Sequence, residues 1–325
     1  MNLTFDDIYL EDAVVVAGQL EGSGPLKAYF DSVDECKDCC FENSEIDLLS
    51  KAMDMLFEKT ERTCDQIDLA IGGELSNQLA TTSYTLRKLP ISLIGIYSAC
   101  STIALGLITA GLSLSQSSVR RVLVFTSSHN QSAERQFRNP VEYGGAKEDT
   151  QTFTATIGAA CFLSHEKSPI RLSSVTVGKV VDVGFTDSMD YGRAMMPAAL
   201  ETLLEHFKTT ATTPADYDLV LTGDLSRFGS KLVQQELEKE FGPVCNYQDC
   251  GLMLYDIDRQ DVLAGGSGPG TSAAVLLSYV RKKMTEGSFK RVLLCATGAL
   301  MNPTMINQKN SIPCIAHAVE LRITE

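Results

Sequence analysis

The stretch Ser92-Leu-Ile-Gly-Ile-Tyr97-Ser-Ala-Cys100-Ser-Thr-Ile-Ala-Leu-Gly-Leu-Ile-Thr-Ala110-Gly-Leu-Ser-Leu114 decides how this 325-residue chain folds. No charged residue lies between Ser92 and Val119. Its first six residues read as a short buried strand, and residues 103–114 read as a helix apolar on nearly every side. Cys100 falls at the turn between them. The first N–H groups of a helix have no internal partner and the helix dipole favours negative charge, so a thiol placed there is stabilised as thiolate. The plainer reading is a small cysteine filling a tight turn. The rest of the chain decides between the two.

Length allows two domains or one large α/β unit. An apolar fraction of 44% and a charged fraction of 21% are those of an ordinary globular protein. A formal net charge of −13 excludes nucleic acid as a partner, which needs a basic footprint, and disfavours direct docking on anionic lipid. The start, Met1 to Asp7, has neither a basic region nor a long apolar run, so no signal or transit peptide is expected. The uncharged run is rich in Ser, Thr and Gly and straddles two elements, which favours a core helix over a membrane span. Ten cysteines without a secretion signal point to a reducing compartment. Cys161, Cys295 and Cys314 sit in strand-like apolar runs and read as core. The cluster Cys36-Lys-Asp-Cys39-Cys40 resembles half of a zinc site, but no His or second Cys pair follows at finger spacing. No metal site is assigned.

Residues 8–17 read as a first strand or hairpin. Glu21-Gly-Ser-Gly-Pro25 reads as a loop that lacks the Gly-Lys-Ser/Thr of a phosphate loop. Ile46, Leu48, Leu49, Ala52, Met53, Leu56 and Phe57 have helical spacing, with Ser44 as the expected cap. The chain then repeats itself. Thr63-Cys-Asp-Gln-Ile-Asp68-Leu-Ala-Ile-Gly-Gly-Glu-Leu-Ser76 is echoed 150 positions later by Thr213-Pro-Ala-Asp-Tyr-Asp218-Leu-Val-Leu-Thr-Gly-Asp-Leu-Ser226. Arg121-Val-Leu-Val-Phe-Thr126 is echoed by Arg291-Val-Leu-Leu-Cys-Ala296 at an offset of 170. The second offset also lays Cys100-Ser-Thr-Ile-Ala104 on Gly270-Thr-Ser-Ala-Ala274, and both open an apolar helix. Two related halves follow, residues 1–168 and 169–325, each alternating helix and strand, which implies mostly parallel sheets covered by helices.

A duplicated α/β chain with a cysteine at a buried helix start in its first half resembles the thiolase and ketoacyl-synthase superfamily. The resemblance implies a five-layered α-β-α-β-α sandwich, commonly dimeric, with the nucleophilic cysteine between the halves. Catalysis there uses a His paired with a second His or an Asn, carried on two second-half loops, as base and oxyanion partner. The corresponding loops here are Thr222-Gly-Asp-Leu-Ser226 and Gly265-Gly-Ser-Gly-Pro-Gly-Thr-Ser272, and neither holds His or Asn. Asp224 is acidic where a neutral or cationic donor is wanted. The expectation is a degenerate enzyme with no catalytic residues, Cys100 marking the former nucleophile. The alternative is an acyltransferase using Cys100 with an unusual base such as His129 or His317.

Of the four histidines, His165 and His206 sit in polar surroundings and read as surface residues. His317, on a late apolar strand, reads either as a satisfied core histidine or as a pocket residue. His129 closes the strand 122–128 at the carboxyl edge, where α/β sheets place ligands, and reads as a pocket residue. It belongs to the block Ser127-Ser-His-Asn-Gln-Ser-Ala-Glu-Arg135-Gln-Phe-Arg138-Asn-Pro-Val-Glu-Tyr143-Gly-Gly-Ala-Lys147. Arg135, Arg138 and Lys147 cluster there in an otherwise acidic chain, so the block reads either as a solvated loop or as a carboxylate-binding segment.

That block, with Ala99-Cys-Ser-Thr102, Ala155-Thr-Ile-Gly-Ala159, Asp249-Cys-Gly251, Ala264-Gly-Gly-Ser-Gly268 and Ser311-Ile-Pro-Cys-Ile-Ala-His317, resembles the stage V sporulation protein AD family of spore-forming Firmicutes. The resemblance implies a non-catalytic protein that binds dipicolinic acid, free or as its calcium chelate, and serves the SpoVA channel in dipicolinate uptake and spore germination. The expected ligand-binding residues are Cys100, Ser127, Ser128, His129, Arg135, Arg138, Lys147 and His317. No cofactor is expected beyond calcium as the chelate. The expected partners are the SpoVA membrane proteins and a second copy of the chain. With no span of its own, the chain is expected at the spore inner membrane through those partners.

Overall fold

A computed structural model describes residues 1–36, 40–137 and 144–324. The five principal strands of each half stand in one spatial order. In the first half, β1 (Tyr9–Ala17), β2 (Leu69–Gly73), β3 (Leu93–Gly95), β4 (Arg121–Ser128) and β5 (Ile157–Ser164) stand in the order β1-β5-β4-β2-β3. In the second, β6 (Ile170–Val177), β7 (Leu219–Thr222), β8 (Tyr247–Asp249), β9 (Arg291–Ala299) and β10 (Cys314–Ile323) stand as β6-β10-β9-β7-β8. In each half three strands run parallel and the closing pair runs antiparallel. The halves meet edge to edge, with Tyr9 opposite Arg171 and Leu10 opposite Ile170.

The repeated sequences perform the same local task twice. Asp68 Oδ2 accepts the backbone N–H groups of Arg120 and Arg121 at 2.7 and 3.2 Å, and Asp218 Oδ2 accepts those of Lys290 and Arg291 at 2.6 and 2.9 Å. Each aspartate thereby fixes the start of the strand beside its own. Thr63 and Thr213 each close a capping box one turn earlier.

Helices α1 (Phe41–Thr60), α2 (Ala80–Leu86), α3 (Thr102–Leu114), α4 (Asn130–Phe137), α5 (Tyr191–Thr210), α6 (Ser226–Phe241) and α7 (residues 269–285) complete the layers. Strand alternation sorts the core. Val14 and Val16 of β1 and Leu123 and Phe125 of β4 face Leu48, Leu49 and Met53 of α1 on one outer side. Ala13, Val15, Val122 and Val124 face inward, onto Ile103 and Leu107 of α3 and Val275 and Leu276 of α7. Leu293 and Cys295 of β9 point outward to Ala199, Leu203 and Phe207 of α5, while Val292 and Leu294 point inward. Both faces of each sheet are buried, which is why these strands read as continuous apolar runs. The result is the five-layered thiolase-like sandwich, with α3 and α7 as its middle layer. The expected half boundary, 168/169, falls in the connection between β5 and β6.

Three expectations change. The stretch 92–97 is not a buried strand. β3 is a sheet edge paired on one side alone, and Leu93, Ile94 and Tyr97 are 39%, 41% and 45% exposed. Helix α1 starts at Phe41, with Cys40 at the cap position and Ser44 buried in its first turn. His206 is not a surface residue: it lies on the apolar face of α5 and is wholly buried. Its ring reaches Thr176 Oγ1 at 2.9 Å and the Tyr217 hydroxyl at 3.0 Å. Glu320 lies behind that hydroxyl, which donates to it at 2.9 Å. Burial alone would raise the Glu320 carboxyl, but bonds from His206, Arg291 and Arg322 outweigh it and hold the group far below the usual range. His165 lies at the surface as expected. Among the described residues no helix is long and apolar enough to cross a membrane.

Candidate functional site at Cys100

The turn that carries Cys100 is built by its neighbours. Ala99 adopts a left-handed backbone (φ +46°), uncommon for a residue with a Cβ. The strain is held by hydrogen bonds: Thr102 Oγ1 donates to the Ala99 carbonyl at 2.6 Å, and Ser101 Oγ to the Ser98 carbonyl at 2.7 Å. Gly298, in the second half, lets β9 close on this turn, since a Cβ there would lie 2.5 Å from the Ser98 carbonyl oxygen.

Behind the turn, His317 is buried on β10. Its Nδ1 accepts the Gly178 N–H at 3.2 Å, which leaves the proton on Nε2 to be donated to Ser98 Oγ, also at 3.2 Å. Burial pulls its pKa down to about 4, so the ring is neutral. His317 is therefore a satisfied core histidine that braces the Cys100 turn.

The group that meets the Cys100 thiol is Asp224. It stands on the loop between β7 and α6, 1% exposed, with Oδ1 accepting from Thr297 Oγ1 at 2.7 Å and Oδ2 from the Gly268 N–H at 3.1 Å. Gly268 has φ +92°, a conformation suited to glycine, and this aims its N–H at the carboxyl. Burial pushes the Asp224 carboxyl up to about 7, against the lowering effect of the bonds from Thr297 and Cys100. The loop itself is tied by Asp249, which accepts from Thr222 Oγ1 and from the N–H groups of Leu225, Ser226 and Gly251. Burial raises Asp249 as well, to about 6. Asp224 thus lies buried beside the Cys100 thiol with its carboxyl raised to near neutrality.

Cys100 opens onto a narrow pocket of about 40 Å³. Two helices furnish part of its wall through pairs one turn apart: Ala133 and Phe137 of α4, Tyr191 and Met195 of α5. Tyr97 and Met301 complete it, with Thr154 and Ser267 as hydroxyl groups. No histidine, asparagine, lysine or arginine borders it among the described residues.

Ala133 and Phe137 of the block 127–147 reach this pocket, whereas Ser127, Ser128, His129, Arg135 and Lys147 do not border it. Ser127 donates to Glu45 on α1 at 2.9 Å, and Ser128 to the Ala155 carbonyl at 2.6 Å. His129 is buried against Phe41, with ring centroids 6.0 Å apart, and borders a different cavity. Arg135 pairs with Glu42 at 3.5 Å, and Lys147 with Glu134 at 3.2 Å. Strand alternation sends Ser127 outward to α1 and Ser128 inward, where its hydroxyl also accepts the Gly270 N–H at 3.3 Å, while His129 and Arg135 turn to the start of α1. Arg138 and Cys39 lie outside the described residues. The pocket residues that sequence reasoning passed over, Phe137, Tyr191, Met195 and Met301, are ordinary apolar positions until the fold brings them together.

Comparison with known proteins agrees with this architecture. The family model for stage V sporulation protein AD (SpoVAD) matches residues 3–322. Stage V sporulation protein AD of Bacillus subtilis (strain 168) is 45% identical over 316 residues, covering 96% of this chain and 93% of that protein. Among solved structures, a Xanthomonas campestris OleA variant superposes with a TM-score of 0.63 at 13% identity, covering 98% of this chain and 99% of that one. The 3-oxoacyl-(acyl-carrier-protein) synthase III of Aquifex aeolicus VF5 gives 0.59 at 11% identity, covering 97% and 99%. At that identity the two structures speak for the fold alone. The chain therefore belongs to the stage V sporulation protein AD family, carried on a thiolase-like fold.

Proposed function

We propose that this chain is a non-catalytic, thiolase-fold binding protein for dipicolinic acid, free or as its calcium chelate, and a component of the SpoVA channel in dipicolinate uptake into the developing spore. The observation that carries the reading is the Cys100 pocket. Aromatic and thioether side chains line it, and no histidine or asparagine borders it among the described residues. Such a pocket suits a flat heteroaromatic ring between Tyr97, Phe137, Tyr191 and Met301. It offers the ligand's polar groups the Cys100 thiol and the hydroxyls of Thr154 and Ser267. Arg138 follows the wall residue Phe137 directly in the chain and is the proposed carboxylate partner. Calcium enters as part of the ligand. A second copy of the chain covers the β3 edge, whose Leu93 and Ile94 are exposed on a strand paired on one side alone. Attachment to the spore inner membrane runs through the channel's membrane subunits.

Calorimetric titration of dipicolinate, with and without calcium, into wild type and Cys100→Phe tests this. Saturable binding lost in the variant supports the reading, and the absence of binding in every condition sinks it. A second reading, an acyl acceptor, draws on the hydrogen bond between Cys100 and Asp224, which gives the thiol a base. Intact-mass analysis after incubation with acyl-CoA distinguishes it, since a stable acyl adduct on Cys100 appears under that reading alone.

A further inference from the structure

Asp224 does not itself border the Cys100 pocket, yet it is held by residues at the pocket's inner end. The Cys100 thiol, which lines the pocket, bonds to its carboxyl. Gly268, whose N–H donates to Oδ2 at 3.1 Å, directly follows the lining residue Ser267. Thr297, whose hydroxyl donates to Oδ1 at 2.7 Å, stands on β9 two residues before the lining residue Ala299. The hydroxyl and the backbone N–H are uncharged donors, and the carboxyl they hold is almost wholly out of reach of water. A negative charge brought against the Cys100 thiol therefore sits across one side chain from a buried carboxyl. In an interior of low dielectric, that charge and an ionised Asp224 repel each other strongly.

The other titratable groups around Asp224 come from the elements packed against its loop. Asp249, at the end of β8, faces it with a second carboxyl, raised to about 6 by burial and held by Thr222 and three backbone N–H groups. Cys250, in the turn after β8, and Cys314, at the start of β10, are pushed up by burial, Cys314 to about 12, so both thiols keep their protons. Tyr97, on the pocket wall, is likewise pushed up to about 12. His317, behind Ser98, is neutral. Asp224, raised to about 7, is divided between its two forms near neutral pH.

We propose that an anionic ligand enters this pocket together with a proton that Asp224 takes up, so that ligand capture is linked to pH through this one carboxyl. The inference rests on the dipicolinate reading of the pocket. A dianion brings two negative charges, of which the proposed partner Arg138 offsets one. Protonation of Asp224 removes its repulsion of the other and gives the carboxyl an O–H to donate. The complex favours the protonated carboxyl, so binding consumes a proton wherever the free protein has lost it, and affinity falls as pH rises. Well below pH 7, free Asp224 already holds its proton and the affinity levels off.

Calorimetric titration of dipicolinate into the full chain at pH 8, in HEPES and in Tris, counts the protons, because the two buffers release different heats on ionising. Wild type should take up about one proton per ligand bound, and its affinity at pH 8 should be about tenfold weaker than at pH 6. Both carboxyls of dipicolinate are ionised across that range, so the ligand itself takes up none. Asp224→Asn, with Asp249 still in place, should bind equally at both pH values and take up no proton. Binding by wild type with the same heat in both buffers and the same affinity at both pH values would overturn the inference and leave the dipicolinate reading standing. Undiminished proton uptake by a folded Asp224→Asn would do the same, since another group would then carry the proton. Absence of binding at both pH values would overturn the reading and the inference together.

Discussion

Replacing Asp224 by Asn should change how the stability of this protein depends on pH, and the structure sets the size of the effect. The folded environment raises the Asp224 carboxyl from its ordinary 3.8 to about 7 because the group is buried. In the unfolded chain it ionises near the ordinary value. Below pH 3.8 both states hold the proton and nothing is lost. Between 3.8 and about 7 the unfolded state ionises while the folded state keeps its proton, so stability falls as pH rises. A difference of about three pH units, at about 1.4 kcal/mol each, makes the loss about 4 kcal/mol by pH 8. Asp249, raised to about 6, adds a loss in the same direction that both proteins share. Asn keeps the shape of Asp and its carbonyl still accepts from Thr297 or Gly268, but it cannot ionise. Denaturant unfolding of both proteins from pH 4 to 8 reads the effect directly. The variant should lose about 4 kcal/mol less than wild type across that range and be the more stable protein at pH 8. Parallel pH profiles would refute the reasoning, because they would mean that Asp224 titrates as an ordinary surface carboxyl.

Gly298→Ala would drive a methyl group to 2.5 Å from the Ser98 carbonyl oxygen and should cost about 1–3 kcal/mol in denaturant unfolding, with weaker dipicolinate binding as the Cys100 turn shifts. His206→Ala strips the Tyr217 hydroxyl and Thr176 of a buried partner. It should destabilise by about 2–4 kcal/mol, against little change if the residue were on the surface. Ile94→Glu puts a charge on the exposed β3 edge and should convert a wild-type dimer to a monomer by light scattering. A wild type that is already monomeric at micromolar concentration contradicts the edge pairing.

The duplication was legible because its signals are local and repeated. Asp68 and Asp218, with the arginine-led strands they cap, carry the same hydrogen bonds in both halves, so a match in sequence was a match in structure. The Cys100 turn was legible for the same reason, as an uncharged strand–turn–helix. The side of the sheet to which each residue of a strand end and its following helix points was not. His129, Arg135 and Lys147 follow β4 as expected, yet Arg135 lies a half-turn of α4 from Ala133 and Phe137, which reach the pocket, and His129 and Lys147 lie before and after that helix. His206 looked polar because its neighbours Glu205 and Lys208 are charged, while the helical period puts it on the buried face with Leu203 and Phe207. β3 looked buried because apolar residues at an uncovered edge read like core. Asp224 was found by its loop, but its charge state depends on burial, which a sequence does not print.

The central claim is that the Cys100 pocket is a binding site for dipicolinate. Calorimetric titration of dipicolinate into wild type and Cys100→Phe tests it most directly. The account predicts one saturable site per chain in wild type and its loss in Cys100→Phe, with the variant's thermal unfolding showing that it remains folded. Binding that persists undiminished in a folded Cys100→Phe would place the ligand elsewhere and contradict the account.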